Sequence, residues 1–172
     1  MPNHVDQDLI VTGDVTTLKE FLEFAKDGDA LLSADKFIPY PQKYKELDAA
    51  AEIIREECQK SGDWSKYHQV KDGFNSGGYE WCRENWGTKW GIYETVIKSQ
   101  KLEGKKGKVK FNFNSAWSPA TKIILAMGQK FTNLVFDMKY YECGMGYKGH
   151  FIVSKGEVIE DSEADYKGRR GG

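Results

Sequence analysis

The segment at residues 77–90 constrains the fold most, because it separates helical hydrophobic patterns on its N-terminal side from strand patterns on its C-terminal side. Three of the five tryptophans lie within it, and we call it the Trp-rich segment. Residues 79–86 are typical of a short helix, which Gly87 would end in a left-handed conformation. Large aromatic side chains bury more apolar surface than other residues, so the segment predicts a packed hub.

The alternative for the Trp-rich segment is a binding pocket with aromatic walls and a polar rim. The spacing of the residues does not choose between a hub and a pocket. The candidate binding residues of such a pocket are Trp81, Arg83, Glu84, Asn85, Trp86, Lys89 and Trp90.

On either side of residues 31–89, strand and helix patterns follow one another in a recognisable order. The predicted elements are a strand at 8–13, a helix at 17–25, strands at 90–100 and 108–114, a helix at 118–131 and a strand at 134–143, with a further strand at 149–153. Strict alternation of apolar and polar residues at 108–114 indicates a sheet with one buried and one wet face. The order predicts an α+β, ferredoxin-like fold, in which a split βαβ arrangement forms an antiparallel sheet with two helices on one face.

Residues 31–89 interrupt this order and predict an insertion that consists of a long helix and the Trp-rich segment. From residue 42 to 60, apolar residues recur every three or four positions, which predicts one helix face buried against the domain. These residues are Tyr44, Leu47, Ala51, Ile54 and Cys58. We therefore predict one domain at residues 1–160, with the insertion at about 31–89, and a disordered charged tail at residues 161–172.

Composition narrows the functional classes. The formal net charge of -1 produces no overall attraction to nucleic acid or membranes, and no apolar run approaches the ~20 residues of a membrane span. Cys58, Cys82 and Cys143 form no Cys-x-x-Cys pair, so we expect reduced thiols in a cytoplasmic protein, with no metal site and no cofactor. Nucleophile motifs and phosphate loops are missing, which favours a non-enzymatic protein with no catalytic residues.

Several stretches resemble a known family. They are Trp81-Cys82, the run from Glu84 to Trp90, the run from Phe37 to Pro41, Ala116-Trp117-Ser118-Pro119 and Tyr140-Tyr141-Glu142. In this order the chain resembles, to about Gly149, the YubB-like proteins with a ferredoxin-like domain, which phages and plasmids encode. The resemblance implies a ferredoxin-like fold and an origin in a mobile element. It implies no catalytic residue, because the family has no settled biochemical function.

Two functions follow as hypotheses. The first is a small accessory protein without catalytic activity, which binds a host protein or another protein of the mobile element through the Trp-rich segment. The alternative is a single-stranded nucleic-acid-binding protein that uses the open face of the sheet, as RNA-binding sheets of this topology do. The candidate residues for that alternative are Tyr93, Lys105, Lys106, Lys110, Asn112, Lys139 and Tyr141. Against it, Phe111 and Phe113 fall on the core face of the predicted sheet.

Overall fold

The computed structural model describes residues 3–172 and consists of one six-stranded antiparallel sheet with four α-helices. The strands are β1 (His4–Asp14), β2 (Tyr93–Lys101), β3 (Lys106–Ala116), β4 (Val135–Glu142), β5 (Tyr147–Ser154) and β6 (Glu157–Asp165). The helices are α1 (Val15–Ala25), α2 (Gln42–Ser61), α3 (Gly78–Asn85) and α4 (Thr121–Lys130).

The order of strands across the sheet is β2-β3-β1-β4-β5-β6. The elements β1, α1, β2, β3, α4 and β4 therefore form the split βαβ arrangement that the sequence predicts, with β1 and β3 in the centre. The predicted ferredoxin-like α+β fold is confirmed. β5 and β6 extend the sheet beyond β4 by two further antiparallel pairings.

Alternation along the strands separates a core face from an open face. On β3, Val109, Phe111 and Phe113 are fully buried, whereas the lysines and asparagines between them point to the other side. Helices α1 and α4 cover the core face. The ring of Phe21 on α1 lies edge-on to the rings of Phe111 and Phe136, at centroid distances of 6.3 and 5.4 Å. These buried aromatic side chains pack with the aliphatic residues of the core and contribute much apolar surface each.

Helix α2 in the insertion is less buried than its apolar stripe predicts. Ala51 and Cys58 are buried, Tyr44 and Ile54 are half-buried, and Leu47 is 39% exposed. The helix packs against the short 3₁₀ turns at Tyr67–Gln69 and Phe74–Ser76. Only a narrow strip of α2 is covered, because these turns are short.

The structure differs from the predicted disordered tail at residues 161–172. Strand β6 continues to Asp165 in register with β5, and the backbone N–H of Gly172 donates a hydrogen bond of 2.7 Å to the carbonyl of His4. A charged edge strand needs only backbone pairing and one partner strand, so its polar composition does not prevent it from folding. No helix within residues 3–172 has both the length and the apolar character required to cross a bilayer.

Candidate binding surface

The aromatic residues around the Trp-rich segment divide into two groups with different surroundings. We define the inner aromatic cluster as Tyr40, Tyr44, Trp81 and Trp86. We define the outer aromatic patch as Tyr79, Arg83, Lys89, Trp90 and Trp117. Helix α3 contributes to both groups, because Trp81 and Tyr79 lie on different sides of it.

The inner aromatic cluster joins the packed interior through Trp86, against which the half-buried Tyr40 and Trp81 pack. Trp86 is 8% exposed, and its indole N–H donates a hydrogen bond of 2.9 Å to the carbonyl oxygen of Ile38. The rings of Trp81 and Trp86 meet edge-on at 5.2 Å, and the ring of Tyr40 lies 5.4 and 5.6 Å from them. A Cβ atom at Gly78 would collide with the Tyr40 hydroxyl, so glycine is required for this close approach. The inner aromatic cluster thus attaches the insertion to the sheet.

The outer aromatic patch alternates cations and aromatic rings at the surface. The Lys89 ammonium lies 4.9 Å from the ring centre of Trp90 and 4.6 Å from that of Trp117. The ring of Tyr79 lies edge-on to Trp117 at 6.0 Å, and the Arg83 guanidinium is 5.5 Å from Tyr79. Such cation–π contacts stabilise the arrangement and hold the two indoles apart, with Lys89 between them. The patch is therefore ordered although Trp117 remains 42% exposed.

Trp117 adopts an unusual backbone conformation, with φ at +72° in the left-handed region. For an aromatic residue this conformation costs about 1–3 kcal/mol and persists only where the surroundings impose it. Here the N–H of Trp117 donates to the carbonyl of Asn3 at 2.9 Å, and its own carbonyl accepts from the Tyr147 hydroxyl at 3.1 Å. The N–H of Lys89 also donates to the Ala116 carbonyl at 3.2 Å. The fold thus holds this indole at the surface in a strained conformation.

A buried glutamine secures the turn that contains Trp117. The amide of Gln7 on β1 is fully buried, donates to the Ser115 hydroxyl at 2.8 Å and accepts from the Ala120 N–H at 2.9 Å. The Ser115 hydroxyl in turn donates to the carbonyl of Ser118 at 2.6 Å. Buried polar groups with satisfied partners are rigid. Gln7, on the central strand β1, therefore fixes the turn that carries Trp117.

The seven candidate residues of the Trp-rich segment do not form one pocket. Trp81 and Trp86 lie in the inner aromatic cluster, and Arg83, Lys89 and Trp90 lie in the outer aromatic patch. The Asn85 side chain donates to the carbonyl of Trp81 at 2.9 Å within α3, and the exposed Glu84 offers its backbone carbonyl to the Lys122 ammonium at 2.6 Å. Their role in binding stays a prediction.

Sequence reasoning missed Tyr79 and Trp117 as candidates. The signal for Trp117 was its place between the last strand residue and Ser118-Pro119, where neither the strand period nor the helix period requires a large aromatic side chain. Tyr79 carries no such signal, because its partner Trp117 is distant in sequence and only the fold brings the two together.

Four candidate residues of the nucleic-acid hypothesis lie on or beside the open face of the sheet without forming one cluster. Lys105 and Lys106 are exposed in the hairpin between β2 and β3, and Lys139 is exposed on β4. Tyr93 lies at the end of the face beside His4, with its hydroxyl 2.5 Å from the ring Nδ1 of that histidine. These four side chains occupy separate parts of the face.

The remaining candidates on the open face contact acidic residues or the tail. The Lys110 ammonium lies 3.4 Å from a carboxylate oxygen of Asp8, and the Asn112 amide donates to Asp6 and Asp8 at 2.7 and 3.2 Å. The ring of Tyr141 is covered by the Arg170 guanidinium at 4.2 Å. The open face therefore carries acidic and basic side chains in contact with one another, and it is not uniformly basic.

A shallow cleft of about 350 Å³ lies between β4, β5 and β6 on the same face. Its histidine, His150, has its Nε2 2.8 Å from Asp137 and its Nδ1 2.9 Å from Glu160. Both ring nitrogens of His150 therefore lie within hydrogen-bonding distance of a carboxylate oxygen. Within residues 3–172, no group of three His, Cys, Asp or Glu side chains is arranged to hold a metal ion.

The geometry defines a ferredoxin-like α+β domain with an ordered aromatic surface. The family model described as "Ferredoxin-like domain in Api92-like protein" matches residues 79–170, more than half of the chain. The chain belongs to this family.

Among solved structures, the chain is similar to the crystal structure of a protein api92 from Yersinia pseudotuberculosis, with a TM-score of 0.57 and 9% sequence identity. The similarity covers 95% of this chain and 98% of that one, so it extends over the insertion as well as the sheet. At this identity it shows a shared fold alone. No curated protein matches the chain. The YubB-like relationship and the phage or plasmid origin stay predictions.

Proposed function

We propose that this protein is a non-catalytic interaction module that binds a partner protein through the outer aromatic patch. The single observation that carries the proposal is Trp117, which is 42% exposed and held at a φ of +72°. Backbone strain of this kind clusters at functional sites, because it lowers stability without helping the fold. A large side chain maintained at the surface at such a cost favours a role in recognition.

The composition of the patch supports a protein as its partner. Tryptophan, tyrosine and arginine are the residues that contribute most of the binding free energy at protein interfaces. Lys89 and Arg83 lie on aromatic faces, so their charges remain available to carboxylates of a partner. We expect a partner that places apolar or aromatic side chains against Trp117 and acidic side chains opposite Lys89 and Arg83. As an accessory protein of a phage, plasmid or integrated element, the module would act in the cytoplasm on a host protein or another protein of the element.

A second candidate is the binding of single-stranded nucleic acid on the open face. It is favoured by the exposure of Lys105, Lys106 and Lys139 along that face. It is opposed by Asp6 and Asp8, whose carboxylates lie at the centre of the same face. A titration with short DNA and RNA single strands at low and moderate salt distinguishes the two functions, because binding to phosphates weakens steeply as salt rises.

The experiment that tests the proposal compares two tryptophans of matched exposure. Trp117 and Trp64 are 42% and 43% exposed, but Trp64 lies outside the patch, with its ring against Tyr67. Tagged wild-type protein, Trp117→Ala and Trp64→Ala are used to capture partners from cells that encode the protein, and the captured partner is then purified and titrated. We expect Trp117→Ala to lose at least about tenfold in affinity, the loss of a typical interface hot spot, and Trp64→Ala to retain it. Equal losses in the two variants, or none in either, would reject the patch as the binding surface.

A further inference from the structure

The C-terminal segment at residues 166–172 crosses the open face of the sheet, and its Arg170 side chain is held there by two aspartates. The Nε and Nη2 atoms of Arg170 donate to the two carboxylate oxygens of Asp6, each at 2.9 Å. Its Nη1 atom donates to Asp8 at 3.1 Å. A planar guanidinium with three charge-assisted hydrogen bonds to two carboxylates is recognised by geometry as well as by charge.

An aromatic face completes the contact. The centre of the Arg170 guanidinium lies 4.2 Å from the ring centre of Tyr141, which is the stacking distance that arginine favours. The ring of Tyr166 lies 5.5 Å from Tyr141, and its hydroxyl accepts from the backbone N–H of Arg170 at 3.1 Å. The guanidinium is therefore contacted by carboxylates at its edge and by an aromatic ring on its face.

The two carboxylates are positioned independently of the tail. Asp6 and Asp8 project from alternate residues of the central strand β1 to the same face, which places two negative charges close together. The Asn112 amide on β3 donates to both, at 2.7 and 3.2 Å, and the Lys110 ammonium lies 3.4 Å from Asp8. With Arg170 in place, their side chains are 25% and 21% exposed. Neighbouring strands thus preorganise the site. Lys110 offsets one of its two carboxylate charges, and the charge that remains is complementary to one guanidinium.

Apart from Arg170 and the ring of Tyr166, the tail contacts the domain mainly near its end, where the Cys143 thiol donates to the Gly171 carbonyl at 2.8 Å. Its backbone is attached at its two ends, where Tyr166 donates to the Gly146 carbonyl at 2.6 Å and Gly172 donates to the His4 carbonyl at 2.7 Å. Residues 167–169 between these points are exposed. A segment held by one side-chain site and a few hydrogen bonds separates from the domain at a lower free-energy cost than a core element does.

We propose that Asp6, Asp8, Asn112 and Tyr141 form an arginine-binding site, which Arg170 fills within the chain and which an arginine-containing peptide segment of a partner protein fills when the tail is displaced. The proposal assigns to the open face a ligand of the opposite charge from the phosphates of nucleic acid. It does not depend on the outer aromatic patch, so either proposal can be rejected without rejecting the other.

The test uses the full chain with the internal competitor removed. Arg169→Ala/Arg170→Ala prevents either tail arginine from entering the site, and the peptide acetyl-Tyr-Lys-Gly-Arg-Arg-Gly-Gly is added while backbone amide signals of β1 and β4 are followed by NMR. We expect saturable binding, at least about tenfold tighter than to the wild-type chain, whose own Arg170 competes at a high effective concentration. A peptide with lysine in place of the second arginine should bind about tenfold more weakly, because lysine cannot form the forked contacts.

Two controls make the outcome decisive. Asp6→Asn, added to the double variant, should abolish peptide binding, whereas Glu163→Gln on β6 keeps the domain intact, removes one acidic charge elsewhere and should leave binding unchanged. The proposal is overturned if the peptide binds the double variant no better than the wild-type chain, if the lysine peptide binds equally well, or if Asp6→Asn retains the affinity. The amide spectrum of each variant verifies that it is folded.

Discussion

The inner aromatic cluster and the outer aromatic patch are built around the same Trp-rich segment, yet their tryptophans Trp86 and Trp117 have opposite surroundings. The indole of Trp86 is buried, donates its N–H to a carbonyl oxygen and packs against the rings of Tyr40 and Trp81. The indole of Trp117 is 42% exposed and lies against an ammonium group. Two residues of the same type thus differ in their burial and in the charge beside them. These surroundings distinguish a tryptophan that stabilises the fold from one that is available to a partner.

The largest expected effect is on the inner aromatic cluster. Trp86→Ala removes a buried indole and leaves a cavity, so it should lower the free energy of unfolding by about 3–5 kcal/mol. Urea denaturation followed by circular dichroism measures this change. A loss below about 1 kcal/mol, the range of surface substitutions, would mean that the cluster does not contribute to stability as its burial indicates.

A second substitution tests how closely the inner aromatic cluster is packed. Alanine favours a helix over glycine by about 1 kcal/mol, so an uncrowded Gly78→Ala would stabilise α3. Here the added methyl group meets the hydroxyl of Tyr40 and the carbonyl of Gly73, and we expect a net destabilisation of about 1–2 kcal/mol from overpacking. The same denaturation experiment reports the sign, and a stabilised variant would show that the ring of Tyr40 moves aside freely.

A third prediction concerns the strain at the outer aromatic patch. Trp117→Gly and Trp117→Ala lose the same ring contacts, but only glycine adopts a φ of +72° without a steric penalty. The glycine variant should therefore be more stable than the alanine variant by about 1 kcal/mol. Thermal unfolding of the pair measures the difference, and equal stabilities would mean that the turn relaxes and stores no strain.

The tail contact on the open face should depend on pH. Burial opposes ionisation of Asp6, but hydrogen bonds from Arg170 and Asn112 outweigh it and hold the pKa of Asp6 below its ordinary value of 3.8. The stabilisation is therefore fully present above that value and is lost as the pH falls through the lower pKa of the folded state. Amide hydrogen exchange of residues 166–172, normalised to an unfolded peptide at each pH, should show reduced protection only in strongly acid solution.

The control for this pH dependence is Asp6→Asn, in which the titrating carboxylate is missing. Asp8 and Lys110 also face this site: the Lys110 ammonium lies 3.4 Å from Asp8, and Arg170 contacts Asp8 at 3.1 Å. Protection that changes with pH to the same extent in the wild-type chain and in Asp6→Asn would contradict the role assigned to Asp6.

The smallest expected effect is that of Trp64→Ala. Trp64 is as exposed as Trp117, contacts Tyr67 and has no cation on its ring. Its removal should change the free energy of unfolding by no more than about 0.5 kcal/mol, as for surface substitutions in general. A larger loss, measured beside Trp86→Ala, would show that the insertion depends on this loop more than its exposure suggests.

The sequence was sufficient for the first five strands of the sheet, but not for β6, because the periodic signals of those five strands are local. The alternation at residues 108–114 and the helical stripe that includes Phe21 each depend on neighbouring residues only, and they specify which side chains face the core. The apolar stripe of α2 also predicts its helix correctly. The spacing of apolar residues does not, however, indicate how much of that helix face other residues cover. Leu47 therefore remained exposed where burial was expected.

The outer aromatic patch and the docked tail could not be predicted because both depend on contacts between distant residues. Lys89 meets Trp117 only after β2 and β3 have paired, and Arg170 meets Asp6 across a separation of 164 residues. A charged, glycine-containing tail has the composition of a disordered segment. It becomes ordered only where the folded domain offers a complementary site. Here that site is assembled from β1, β3 and β4, and none of these strands contains it alone.

The most direct test of the central claim is site-specific photocrosslinking in cells that encode the protein. In one variant, a photoreactive phenylalanine analogue replaces Arg83, at the rim of the outer aromatic patch. In the control variant, the analogue replaces Trp64. The account predicts a discrete protein adduct from position 83 that disappears when Trp117→Ala is added, and no such adduct from position 64. An adduct that persists with Trp117→Ala, or equal adducts from both positions, would contradict the claim that the patch binds a partner.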